Sequence, residues 1–165
     1  MTALSAGTTA PDFTLASTGG SVFSLRQALA RGPVLAAFFK ISCPVCQYAF
    51  PFIERIYRVY KDKNLAIIGI SQNDAKETDA FMKEYGITFP VLLDDTRKYP
   101  VSNAYGLTNV PTLFWIDADG EIAISSVGWS KTDVAEINRR AAEVAQEAPK
   151  PIFEAGEQVA DFRAG

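Results

Sequence analysis

The chain has 165 residues, of which 48% are apolar and 21% charged, with a net charge of −3 at pH 7 and no histidine. This length and composition fit one globular domain with a substantial core, and they exclude a disordered chain or a bundle of membrane helices. The negative charge argues against nucleic acid or an anionic membrane as the main partner. The absence of histidine removes imidazole bases and most zinc and haem sites.

Residues 1–7 lack the basic start and apolar stretch of a secretory signal, and the sequence shows no transmembrane segment. If Met1 is the native start, we therefore expect a cytosolic protein. Disulfides in that compartment are usually transient and catalytic.

The front of the chain predicts a hairpin, a short helix and a buried strand. Residues 13–16 and 22–23 are joined by a Ser-Thr-Gly-Gly turn, which is typical of a β-hairpin. Ser24 is a candidate cap for a helix that Gly32-Pro33 ends. Residues 34–39 are apolar at every position, which indicates a strand buried on both faces of a parallel sheet.

The middle of the chain alternates between helices and strands. Helical spacing of apolar residues predicts helices over about 43–61 and 74–85, and Pro51 predicts a kink in the first. The predicted strands are 65–70 and 91–93. Residues 97–105 form a short helical stretch that Pro100 interrupts.

The next part predicts a hairpin and a long helix. Residues 112–116 and 122–127 flank an Asp-Ala-Asp-Gly turn, which is a strong hairpin signal. Ser130, with an acidic residue three positions later, is a candidate cap for a helix to about Ala148. This order of elements predicts an α/β fold with a mixed sheet, in which parallel strands come first and an antiparallel hairpin forms the edge.

Residues 149–165 form a polar tail, so we expect a domain over 1–148 with this tail appended. Residues 155–162 share four of eight positions with residues 6–13. The similarity is either chance or the sign of a tail that docks as the N-terminal arm does, on its own body or on a neighbour's.

The chain's two cysteines lie three residues apart, as Cys43-Pro44-Val45-Cys46, where the strand 34–39 meets the next helix. On a helix such residues share a face with Cβ atoms about 5–6 Å apart, which suits a reversible disulfide. The helix start favours a thiolate at the first cysteine. The alternatives are a structural disulfide, a zinc site and two inert buried cysteines. A disulfide between these cysteines would close too short a loop to stabilise the fold much, which argues against a structural disulfide. The lack of further cysteine or histidine ligands argues against a zinc site.

The sequence resembles the thioredoxin-like redoxins, in the branch of the TlpA-like thiol–disulfide oxidoreductases and the AhpC/TSA-type peroxiredoxins. The matching segments are Ala10-Pro11-Asp12-Phe13, Phe38 to Cys46, Pro51, Tyr105-Gly106 and Asn109-Val110-Pro111-Thr112. The resemblance covers about residues 7–146. It implies a thioredoxin-like fold, with a central mixed sheet flanked by helices and an N-terminal β-hairpin extension.

The resemblance also implies a mechanism. In this family the proline of the Val-Pro-Thr element is cis and faces the CxxC pair, which assigns that role to Val110-Pro111. Cys43 would attack a substrate disulfide and Cys46 would resolve the mixed disulfide. We therefore expect a thiol–disulfide oxidoreductase, acting as a reductase of protein disulfides. Its expected catalytic residues are Cys43, Cys46 and Pro111, and its expected substrate contacts are Val110, Lys40, Pro44 and Val45.

Three positions depart from the ordinary thioredoxin pattern. Ser42 replaces the tryptophan before the first cysteine, and Ala37 replaces a buried aspartate, which leaves the proton acceptor for Cys46 unassigned. Lys40 could favour the thiolate or pair with a carboxylate such as Glu54. The alternative is a lysine at a strand end that reaches solvent.

Two other functions stay open at this point. One is a thiol-dependent peroxidase with Cys43 as the peroxidatic residue, and the other is a redox-sensing interaction module. Peroxiredoxins carry Thr or Ser three residues before that cysteine and a proline four residues earlier still. Here Lys40 and Ala36 stand at those positions, which weighs against the peroxidase.

The expected partners are protein disulfides and an unidentified electron donor, with no nucleic acid and no membrane. We expect no metal and no cofactor beyond the dithiol, and a monomer or weak homodimer. Tyr48, Phe50 and Trp129 are candidates for an apolar client surface, although aromatic residues more often pack in a core.

Overall fold

The computed structural model describes residues 2–165, so Met1 lies outside the described residues. The strands are β1 Thr14–Ala16, β2 Val22–Ser24, β3 Val34–Phe39, β4 Ala66–Ser71, β5 Val91–Leu93, β6 Thr112–Ile116, β7 Ile122–Val127, β8 Trp129–Ser130 and β9 Phe162–Arg163. The helices are α1 Leu25–Leu29, α2 Pro44–Tyr60, α3 Ala75–Tyr85, α4 Pro100–Ala104 and α5 Lys131–Val144. No helix within residues 2–165 is both long and apolar enough to cross a membrane.

A five-stranded mixed sheet forms the centre of the molecule, in the order β5-β4-β3-β6-β7. Strand β3 pairs in parallel with β4 and antiparallel with β6, while β7 completes the antiparallel edge. All six residues of β3 are buried, as expected of a strand covered on both faces. The predicted α/β fold with a central mixed sheet flanked by helices and the N-terminal hairpin of β1 and β2 are therefore confirmed.

The two faces of β3 contribute to two separate parts of the core. Leu35, Ala37 and Phe39 belong to a cluster that includes the buried face of α2. The alternating residues between them pack on the opposite face, against aromatic residues that include Phe13 and Tyr105. Because α2 lies against the middle strand, its N-terminal turn is held at the carboxyl edge of the sheet.

Two predicted boundaries were wrong. Pro100 does not interrupt a helix but opens α4, because the first helical position needs no backbone N–H donor. Helix α5 ends at Val144, before the predicted Ala148, and Gln146 just beyond it has a left-handed φ of 58°. The predicted cap is confirmed, since the Asp133 N–H donates to Ser130 Oγ at 3.2 Å.

The tail folds back onto its own body, through strands β8 and β9 that the sequence analysis did not predict. These two strands pair antiparallel, with Trp129 opposite Arg163. The N-terminal arm docks elsewhere, since the Gly7 N–H donates to Ile122 O on β7 at 2.8 Å. The tail therefore docks on its own chain, but at a different place from the arm whose sequence it partly repeats.

Candidate active site

Cys43 caps the N-terminus of α2. Its backbone is extended, with φ −84° and ψ 113°, and Pro44 follows at the start of the helix. The Cys46 N–H donates to Cys43 Sγ at 3.1 Å. This sulfur therefore lies at the positive end of the helix dipole and accepts one of the N–H groups that the helix leaves free.

The two thiols lie in different environments. Neither cysteine forms a disulfide in the structure; Cys43 is half-buried and Cys46 is fully buried. Burial raises the pKa of the Cys46 thiol far above its ordinary value, and the hydrogen bond with Cys43 raises this pKa further. Cys46 is therefore a neutral thiol at physiological pH, screened from external reagents.

The Val110–Pro111 peptide bond is cis, as the resemblance implied, and it faces Cys43. The Cys43 thiol donates to Val110 O at 3.4 Å. Two bonds hold this loop: Thr112 Oγ1 donates to Asn109 O at 2.8 Å, and the Gly128 N–H donates to Pro111 O at 2.8 Å. Four of the predicted site residues, Cys43, Cys46, Val110 and Pro111, thus come together.

The loop before Cys43 is fixed by two residues that the sequence analysis missed. The Ile41 N–H donates to Asn73 Oδ1 at 3.0 Å, and Gln47 Nε2 donates to Ile41 O at 2.9 Å. Asn73 follows β4, the parallel neighbour of β3, so both strands deliver their next residues to the same edge of the sheet. The sequence offers one signal for Asn73, since it is a polar residue just after the strand that pairs in parallel with β3.

The suggested pairing of Lys40 with Glu54 is wrong. Glu54 lies about three helical turns from Cys43, buried against another loop. Its carboxylate accepts the N–H groups of Thr88 at 2.8 Å and Phe89 at 3.2 Å, and it pairs with Arg58 at 2.8 Å. These contacts satisfy the Glu54 carboxylate about three turns along α2 from the dithiol, so it is not a partner of Lys40.

Lys40 is instead exposed where β3 ends, as a lysine that reaches solvent. It lines a shallow depression beside the cis-proline loop, together with Gln72 and residues 107–110. Its backbone carbonyl accepts the Cys43 N–H at 3.3 Å. Lys40 therefore borders the site but makes no ion pair with Glu54.

The other predicted residues divide between surface and core. Pro44 is exposed and Val45 half-buried on the first turn of α2. Phe50 and Trp129 are fully buried, so they are core residues and offer no apolar surface to a client. Tyr48 is half-buried and packs edge-on against Trp129, with ring centroids 5.2 Å apart.

Ala37 brings no polar group to the dithiol. It is fully buried in β3, opposite Gly69 on one neighbouring strand and Leu113 on the other.

In the described part of the chain, no three His, Cys, Asp or Glu side chains are close enough together to hold a metal ion. The site therefore consists of one accessible thiol, one buried thiol a turn away and the Val110 carbonyl, which is suited to opening and closing a disulfide.

The tail also reaches this site, which the sequence analysis did not predict. Asn109 Nδ2 donates to Gly165 O at 3.2 Å. A Cβ added at Gly165 would overlap the carbonyl oxygen of Val110, so the two backbones are in close contact. The same carbonyl oxygen accepts the Cys43 thiol.

Comparison with known proteins connects this site to a family. A family model described as Redoxin matches residues 5–140. The thiol-disulfide oxidoreductase ResA of Geobacillus kaustophilus (strain HTA426) is 33% identical over 122 residues, which are 73% of this chain and 68% of the relative. Residues 141–165 lie beyond the part that the family model matches.

Solved structures show the same fold. A candidate protein disulfide isomerase from Bacteroides thetaiotaomicron has a TM-score of 0.80 at 28% identity, covering 89% of this chain and 96% of that one. A thiol:disulfide interchange protein of the thioredoxin family from Chlorobium tepidum TLS has a TM-score of 0.70 at 26% identity, covering 86% and 99%.

Proposed function

The chain belongs to the redoxin family, and we propose that it acts as a reductase of polypeptide disulfides through Cys43 and Cys46. It is a thiol–disulfide oxidoreductase, like the relatives that share its fold. One observation carries the proposal: an accessible thiol at a helix N-terminus faces Val110 O, with a buried thiol one turn behind it.

In the first step, the Cys43 thiolate attacks one sulfur of a substrate disulfide. The substrate S–S bond breaks, a mixed disulfide forms, and the departing substrate thiolate takes a proton from solvent. The attacking charge is supported by the Cys46 N–H, 3.1 Å from Cys43 Sγ, and by the positive end of α2.

In the second step, Cys46 attacks Cys43 Sγ and breaks the mixed disulfide. The dithiol is oxidised to a disulfide and the substrate disulfide is reduced to two thiols, with two electrons transferred. Since burial raises the pKa of Cys46 and Ala37 supplies no carboxylate, the departing substrate thiolate takes the Cys46 proton. An external thiol reductant then restores the dithiol.

Polypeptide substrates reach Cys43 between the first turn of α2 and the cis-proline loop. The Val110 backbone would pair with an extended chain, while the exposed Lys40 and Pro44 border its path. Val45, half-buried next to the dithiol, adds an apolar contact. The cytosolic location and the state of a monomer or weak homodimer stay predictions.

Reduction of insulin by dithiothreitol tests this function directly. The wild-type protein should catalyse it, and Cys43→Ser should abolish catalysis because no nucleophile remains. Cys46→Ser should accumulate mixed disulfides at Cys43, identified by mass spectrometry. Ser42→Ala, which changes the neighbouring exposed residue and no thiol, is the matched control and should retain activity.

Turnover that survives Cys43→Ser would contradict the assignment of the nucleophile. Rapid consumption of hydrogen peroxide, without any reduction of insulin, would contradict the reductase and support the peroxidase.

A further inference from the structure

Residues 159–165, here called the docked tail end, lie along one side of the active site. Strand β9 within them pairs with β8, and the Lys131 N–H donates to Asp161 O at 2.9 Å. Trp129 Nε1 donates to Ala160 O at 2.6 Å, which satisfies the polar atom of a fully buried indole. The docked tail end thus follows β8 in an extended conformation.

The docked tail end then passes against the cis-proline loop, backbone to backbone. A Cβ added at Gly128 would lie 2.5 Å from Arg163 O and 3.1 Å from Gly165 N. A Cβ at Gly165 would overlap Val110 O. Because glycine has no Cβ, Gly128 and Gly165 permit this close approach of two backbone segments. Gly165 therefore occupies the space directly beside the carbonyl that the Cys43 thiol contacts.

Helix α2 holds the same segment from the other side. The Arg163 guanidinium lies 4.1 Å from the centroid of the Tyr48 ring, and Tyr48 Oη accepts the Ala160 N–H at 3.0 Å. Tyr48 lies just after Cys46 on α2. The docked tail end therefore bridges the dithiol helix and the cis-proline loop, which are the two walls of the active site.

Building on the proposed reductase, we propose that the docked tail end is a specificity-determining segment that competes with polypeptide substrates. It lies where an extended polypeptide would approach Val110, so a polypeptide disulfide must first displace it. Cys43 is only half-buried beneath it, so a small disulfide reaches the sulfur with the tail in place. Extended chains that pair through the backbone need the same strip of surface, whereas small disulfides do not.

The anchoring of the tail allows its end to leave while its base stays. At the base, Arg55 donates to Ile152 O at 2.8 Å and makes two bonds of 2.8 Å to the Glu157 carboxylate. Ile152 is buried in the core. In the docked tail end, only Phe162 and Arg163 form strand pairs, and the Phe162 side chain is 62% exposed. Short, exposed pairings open at low free-energy cost, so local release at the end is expected.

Single-turnover oxidation of the pre-reduced protein tests the proposal. Insulin serves as the polypeptide disulfide and hydroxyethyl disulfide as the small one, and both rate constants are measured by quenching and alkylation. A variant that stops after Gln158 should react with insulin about tenfold faster, because a competing state that hides the site lowers apparent affinity in proportion to its population. Its rate with hydroxyethyl disulfide should change less than about twofold.

Two substitutions loosen the segment without removing it. Arg163→Ala removes one exposed cation–π contact, so the insulin rate should rise about two- to threefold. Gly165→Ala adds the Cβ that overlaps Val110 O, so it should also raise the insulin rate. Arg139→Ala, on the exposed face of α5, is the matched control and should leave both rates unchanged.

The outcomes separate this inference from the proposed function. A protein that reacts with neither disulfide contradicts the reductase itself. A protein that reacts with both, but whose insulin rate is unchanged or lower in all three tail variants, contradicts only the competition. Should truncation unfold the protein by uncovering Trp129, which circular dichroism would show, Arg163→Ala and Gly165→Ala decide the question.

Discussion

The two sides of the active site differ in how firmly they are held. On one side, the dithiol belongs to α2, whose buried residues pack against β3 in the largest part of the core. On the other side, residues 159–165 are held by a two-residue strand pair and a few side-chain contacts. The difference indicates that the reacting atoms are kept in fixed positions, while access to them is adjustable.

The largest expected effect comes from the firmly held side. Phe50 is fully buried, with its ring centroid 4.3 Å from that of Phe39 and 5.6 Å from that of Phe89. Phe50→Ala should lower the free energy of unfolding by about 3–5 kcal/mol, through lost burial and the cavity left behind. Urea denaturation followed by circular dichroism measures the loss.

The matched substitution on the other side is Phe162→Ala, in the docked tail end. Because Phe162 is 62% exposed, its truncation should change the free energy of unfolding by less than about 0.5 kcal/mol. Equal losses in the two variants would mean that the tail end is as firmly held as the core.

An effect smaller than that of Phe50→Ala is expected at the loop that positions Cys43. Asn73→Ala leaves the Ile41 N–H without its acceptor, which should cost about 1 kcal/mol of stability. As Asn73 is a positioning residue, kcat for insulin reduction should fall while KM changes little. Asn73→Asp keeps an acceptor oxygen and should restore kcat, whereas a purely structural role would change stability without this rescue.

The tail base is expected to respond to acid. The Arg55 guanidinium lowers the pKa of Glu157 to about 2, whereas an unpaired glutamate titrates near 4.3. Because the folded-state pKa is the lower one, the stabilisation is complete above the unfolded value and is lost as pH falls from about 4.3 through 2. Fluorescence of Trp129 in a Trp115→Phe background should report loosening of the tail in that window.

Glu157→Gln removes the titrating group and is the control for this acid response. In that variant the change in Trp129 fluorescence between pH 4.3 and 2 should shrink. An unaltered profile would contradict the role of the Arg55–Glu157 pair.

The sequence predicted the firmly held side well, because its signals are local and strong. The continuous apolar run of β3 and the helical spacing of α2 each reflect burial against one neighbouring layer. The junction between them fixed the place of Cys43 and Cys46. In contrast, Glu54 was suggested as a partner of Lys40, although about three helical turns separate it from Cys43 and its carboxylate accepts the Thr88 N–H instead.

The side formed by the tail could not be predicted in the same way. Strands β8 and β9 have two residues each, too few for any periodic pattern, and they pair across the whole of α5. The roles of Gly128 and Gly165 depend on two backbones meeting, which no local pattern encodes. Asn73 was missed for a related reason, since its partner Ile41 lies on a neighbouring strand's loop.

The central claim is that Cys43 and Cys46 form a reversible dithiol–disulfide pair. Equilibration of the protein with glutathione redox buffers, read by mass spectrometry after alkylation, tests it most directly. The claim predicts one two-electron transition between about −270 and −120 mV, in which the reduced form carries two alkyl groups and the oxidised form carries none because its disulfide joins the two cysteines. A protein that instead takes up one glutathione at Cys43 and never closes the internal disulfide would contradict the claim.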